Sequence, residues 1–132
     1  MSTELFANYI SEKALLGSIG ENQRVIKTLL KAKVQAIKKV QSAMDEKART
    51  KTPLNDRQQR IFHEFTGVYA KEGRLLKESL MRIENIQHDL HTESTQPFML
   101  SLLLLQKHQD NAIKSLRLMI ASGQETLKVI VK

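Results

Sequence analysis

The sequence predicts an all-α fold: an elongated antiparallel bundle of three long helices, over residues of about 21–49, 53–91 and 95–131, preceded by a short helix over about 3–16. Three observations carry this expectation. Apolar residues recur at spacings of three and four along most of the chain, the repeat that turns one face of a helix to a core. Turn formers are few, with five glycines and two prolines in 132 residues. No strand-like alternation competes, since Val129–Val131 is short and terminal. The length fits one domain, 1–132, which buries roughly two-thirds of its surface without staples.

The first short pattern is Leu5, Phe6, Tyr9, Ile10, Ala14 and Leu15. Gly17 and Gly20 then interrupt it. Each glycine inside a helix costs about 1 kcal/mol against alanine, so a kink or break is expected between them. From Asn22 to Met44 a long stripe follows, made by Val25, Ile26, Leu29, Leu30, Val34, Ala36, Ile37, Val40 and Met44.

Residues 45–52 (DEKARTKT) are polar and without period. Pro53 disfavours the helical region for Thr52, so Thr52 as N-cap and Pro53 as first helical residue is the expected start of the next helix. That helix carries Leu54, Ile61, Phe65, Val68, Leu75, Leu76, Leu80, Ile83, Ile86 and Leu90. A second break falls at His91–Pro97, with Ser94 or Thr95 as the cap of the last helix. Leu102, Leu105, Ala112, Ile113, Leu116, Met119, Ile120, Leu127 and Ile130 form its stripe. Helices of these lengths run to about 50 Å, and short connections make neighbours antiparallel.

Composition excludes several classes. Apolar residues are 41% and charged residues 27%, too apolar for disorder and too charged for a membrane protein. Cysteine is absent, which removes disulfides, thiol catalysis and Cys-based zinc sites. The longest dense apolar run, Phe98–Leu105, is far shorter than the ~18 residues needed to span a bilayer. The first 20 residues carry Glu4 and Glu12 and no arginine, unlike a transit peptide, and they hold no apolar stretch of a signal peptide. A cytoplasmic protein is expected.

The net charge of +7 is unevenly placed. Residues 22–63 hold eleven basic and three acidic residues, so that segment carries +8 and the remainder −1. Arg24, Lys27, Lys31 and Lys38 fall within about 60° of one another beside the apolar stripe of their helix. With Lys39 and Arg49 they form a candidate basic face. Three readings apply to it: a solvated face, a surface for nucleic-acid phosphates, or one for an acidic partner or anionic membrane. Residues 22–61 contain no aromatic ring on which single-stranded bases would stack.

Seven of the eight residues in Phe98–Leu105 are apolar, so they surround the helix instead of lining one side. Either the bundle and the short N-terminal helix enclose them, or they form a subunit or partner interface. The contact candidates are Phe98, Leu102, Leu103 and Leu104. His88 and His91, near Glu84, Asp89 and Glu93, are too close to a helix end to suggest a metal site, and His63 and His108 stand alone. Glycine loops for phosphate, Gly-x-Ser-x-Gly and His-Glu-x-x-His are missing, so no catalytic residue, cofactor, metal or small-molecule substrate is expected.

Residues 102–132 (LLLLQKHQDNAIKSLRLMIASGQETLKVIVK) end in Gly123-x-Glu125-Thr126-Leu127 and a basic terminus. In those features the segment resembles the C-terminal helix of type III secretion inner-rod proteins. The likeness covers about a quarter of the chain, and the long regular helices of residues 21–91 depart from that family. It implies an assembly subunit of a secretion system.

The expected function is therefore a non-catalytic helical interaction protein: an adaptor, a small chaperone, or an assembly or secretion-system subunit. It would work through helix–helix packing and the basic face, with a protein partner or a second copy of itself. The alternative is sequence-nonspecific nucleic-acid binding through the basic 24–60 region. Salt separates the two, because phosphate contacts weaken steeply with ionic strength and apolar contacts do not.

Overall fold

The computed structural model describes residues 3–92 and 98–131, for residues 3–10 the backbone alone. It contains three helices: α1 (Thr3–Arg49), α2 (Asp56–His91) and α3 (Phe98–Ile130). The described residues include no strand, so the fold is the expected all-α bundle.

The chain runs up, down and up. In α1 and α3 the numbering advances together: Gln106 donates to Ser18 Oγ (2.8 Å), Gln109 to the Ile19 carbonyl (3.2 Å) and Asn22 to Asp110 (3.2 Å). In α2 and α3 it advances oppositely. Gln58 near the start of α2 donates to the Val129 carbonyl near the end of α3 (3.1 Å), and Gly73 faces Met119.

The layout has a centre. α3 packs closely against both α1 and α2, while α1 and α2 make no close backbone approach to one another. Two partners explain the composition of α3. Its buried positions, from Ser101 to Ile130, cover about 160° of the helix at 100° per residue. The flanking helices each bury a narrower stripe, such as Phe65, Leu76 and Ile83 of α2 or Leu15, Ile19, Ile26 and Val40 of α1.

The core has two clusters. The larger one gathers Leu15, Ile19 and Ile26 of α1 and Leu76 and Ile83 of α2 around Leu102, Leu105, Leu116 and Met119 of α3. The smaller one, at the other end, joins Val40, Phe65 and Ile130. The rings of Phe62 and Tyr69 flank Phe65 there, with centroids 6.2 and 5.9 Å away.

Three boundaries differ from expectation. No break separates a short N-terminal helix from a long one; α1 is continuous through Gly17 and Gly20. Both glycines keep negative φ. Leu15 and Ile19, buried on either side of Gly17, hold the segment to α3, and that burial outweighs the propensity penalty of the glycines.

Thr52 does not cap α2. Its amide donates to the Lys47 carbonyl (2.9 Å) and that of Lys51 to Ala48 (3.2 Å), so both residues terminate α1. Lys51 takes the left-handed conformation, φ 54°, where helix ends usually place glycine. The N-cap of α2 is Asn55. Its side chain accepts from the Gln58 amide (2.8 Å), and the Gln58 side chain accepts from the Asn55 amide (2.9 Å). This reciprocal box starts α2 at Asp56, three residues later than the proline suggested. For α3, the expected caps Ser94 and Thr95 lie outside the described residues. No described helix is long and apolar enough to cross a membrane.

Candidate functional site

The apolar segment divides between core and surface. Leu102 is 1% exposed and packs with Leu105 inside the larger cluster, so this predicted contact residue belongs to the core. The correction follows from the position of α3, since a helix between two partners turns Leu102 inward along with Leu105 and Leu116. Leu104 is half-buried. Phe98 and Leu103 stay on the surface, 47% and 49% exposed.

Leu100, 45% exposed, joins them and was not among the contact candidates. A signal for it exists in the sequence. Leu100 and Leu103 stand one turn apart on the side of α3 that continues as Lys107, Asp110, Lys114 and Arg117. That side is charged from Lys107 to Arg117 and apolar again at Leu118, which is 45% exposed.

The basic residues Arg24, Lys27, Lys31, Lys38, Lys39 and Arg49 are all exposed, as their spacing predicts. The structure separates them by partner. Arg24 has Glu21 one turn before it, at 3.7 Å. Arg49 forms two hydrogen bonds to Glu46, 3.1 Å through Nε and 2.5 Å through an η nitrogen, and they raise its pKa above the usual guanidinium value. Among the described residues no ion pair engages Lys27, Lys31, Lys38 or Lys39. Lys128 of α3, absent from the predicted face, adds to it. Lys39 and Lys128 line a shallow groove between α1 and α3 with Gln35, Gln124 and a floor that includes Ala36 and Gly123.

A second groove, between α2 and α3, is lined by Glu72, Glu78, Arg82, Lys107, His108 and Lys114. Glu72 is buried and one of its carboxylate oxygens has no hydrogen-bond partner. Burial lowers the pKa of His108, and the positive charges of Arg82 and Lys107 lower it further. His63, His88 and His91 are exposed. The described residues hold no group of three or more His, Asp or Glu placed to bind a metal ion.

The fold and surface thus define a three-helix bundle with a central third helix, an apolar end and a basic outer edge. Comparison of the chain with known protein families, curated proteins and solved structures finds no match.

Proposed function

We propose that the chain is a non-catalytic helical interaction protein of the cytoplasm: an adaptor, a small chaperone, or an assembly or secretion-system subunit. The observation that carries the reading is the exposure of Leu100 and Leu103 one turn apart at the start of α3, with Phe98 also exposed at its first residue. Fully burying a large apolar side chain contributes about 1.5–3 kcal/mol. Leu100 and Leu103, already half-covered, contribute roughly 1.5–3 kcal/mol together on the same scale. That is less than the 4–15 kcal/mol estimated for lost translational and rotational freedom. The patch is therefore the centre of a contact that neighbouring groups complete, and the basic edge orients the encounter.

The test is sedimentation over a range of concentrations, at low and high salt, on the parent and on a Leu100→Gln, Leu103→Gln double variant. Both substituted residues are surface residues, so helicity by circular dichroism should be unchanged. The expected result is association of the parent that persists at high salt and is lost in the variant. A parent that stays at 15.1 kDa throughout, or a variant that associates equally well, defeats the reading.

A further inference from the structure

One side of α1 is covered by α3, and among the described residues no other helix closes on the opposite side. That outer side exposes Lys27, Lys31 and Lys38. Lys39 stands at its edge, across the groove from Lys128. Between Glu21 and Asp45 the sequence of α1 has no acidic residue, and among the described residues none of these five lysines is in an ion pair. Lys27 to Lys39 covers about 18 Å along the helix at 1.5 Å per residue. A nucleic-acid duplex presents about ten phosphate charges over the same length.

We propose that the outer face of α1, completed by Lys128, binds the phosphate backbone of double-stranded DNA without reading its sequence. Partner chemistry follows from what the face contains and lacks. Single-stranded nucleic acids are held by stacking bases on aromatic rings. α1 has no aromatic residue after Tyr9, and the rings of Phe62, Phe65 and Tyr69 pack on one another in the smaller core cluster. Duplex RNA is recognised across its minor groove by shape and 2′-hydroxyl contacts together, and a row of lysines on one helix supplies the phosphate contacts alone.

A membrane surface is disfavoured for another reason. Helices that lie on membranes insert an apolar face rich in Trp, Phe or Leu. Among the exposed residues of α1 from Gln23 to Gln41, Val34 is the one large apolar side chain. Lack of sequence reading follows from the side chains, since lysine contacts to phosphates fix a protein on a duplex without carrying sequence information. This inference rests on a different observation from the apolar contact proposed above, and either can fail alone.

The test is fluorescence anisotropy with a 20-base-pair DNA duplex, its single strand, an RNA duplex of the same sequence, and vesicles of phosphatidylcholine with phosphatidylserine. Neutralising about five phosphates gives a slope of roughly −4 to −5 for log affinity against log salt concentration. A Lys31→Gln, Lys38→Gln, Lys39→Gln variant should show a slope near −2 and at least tenfold weaker binding at low salt. A Lys71→Gln, Arg74→Gln variant, altered on the exposed side of α2, should keep the parent slope. The proposal is overturned by absence of duplex binding at about 50 mM salt, where phosphate contacts are strong. It is equally overturned by tighter binding to single strands, RNA or vesicles, or by an α2 variant that loses as much as the α1 variant.

Discussion

Gly123 of α3 backs onto Ala36 of α1 so closely that a Cβ on the glycine would stand 3.2 Å from the Cβ of the alanine. Phe65 closes the same spot from α2, at 3.7 Å. The three helices meet at this point, where α3 is held between its two partners. The glycine of the Gly-x-Glu-Thr-Leu segment thus has a packing role.

Glycines of this chain should therefore respond in opposite ways to substitution. Gly123→Leu forces α1 or Phe65 outward and should cost about 1–3 kcal/mol by overpacking. At Gly17 and Gly20 a Cβ would meet nothing within 4 Å. Gly17→Ala and Gly20→Ala should each add about 0.5–1 kcal/mol, because alanine loses less backbone entropy in a helix. Urea midpoints of the three variants measure this, and a stable Gly123→Leu protein would show that α1 and α3 do not approach so closely.

Gln109 is fully buried between α3 and α1, with its amide nitrogen on the Ile19 carbonyl and its carbonyl oxygen unpartnered. An unmet buried acceptor costs about 1–3 kcal/mol. Gln109→Met keeps the volume and removes that burden, so the variant should unfold at higher urea concentration than the parent. The Ile19 carbonyl retains its helical hydrogen bond. A variant destabilised by more than about 1 kcal/mol would mean that the amide contributes more than its orphaned oxygen forfeits.

The turn between α1 and α2 gives a third expectation. Asn55→Ala removes the side-chain acceptor of the Gln58 amide, leaving the Asn55 amide on the Gln58 side chain, and should cost about 1 kcal/mol. Thr52→Ala should leave stability within about 0.5 kcal/mol, as its exposed side chain hydrogen-bonds the equally exposed Thr50. Lys51→Gly relieves a left-handed lysine and should stabilise by about 0.5–1 kcal/mol. Thermal or urea melts of the three variants should keep this order; equal losses at Thr52 and Asn55 would contradict the observed cap.

His108 should make stability depend on pH. Its folded pKa lies below the ordinary value near 6.5 because of burial and the charges of Arg82 and Lys107. A base with a depressed folded pKa binds fewer protons folded than unfolded. Its contribution is therefore neutral above about pH 7 and turns destabilising as pH falls through the unfolded pKa, levelling off below the folded one. His108→Gln should flatten the fall in urea midpoint between about pH 7 and 5, where histidine titrates. A parent and a variant with the same slope would remove His108 as its source.

Much of the candidate surface was legible because exposure follows helical spacing. Lys27, Lys31, Lys38 and Lys39 stand beside the apolar stripe of α1 in sequence and on its exposed side in the fold. Leu102 and Leu103 could not be separated in that way. Both lie in a run that is apolar on all sides, and the position of α2 and α1 around α3 decides which leucine is enclosed. Lys128 was equally hidden, since its place beside Lys39 depends on how α1 and α3 align.

The sequence by itself determined the helices and the sign of their surfaces, because spacing of three and four is a local property of one segment. It also marked residues 45–52, ahead of Pro53, as the break between the first two long helices. Only the tertiary structure decided that α3 is the central helix, that α1 continues through two glycines, and that Asn55 instead of Thr52 starts α2. Each of those outcomes depends on contacts between groups distant in the chain or on competing hydrogen bonds within a turn. Ile19 with Gln109, Ala36 with Gly123 and Thr52 with Lys47 are such pairs. Local propensities of about 1 kcal/mol give way wherever contacts of this kind sum to more.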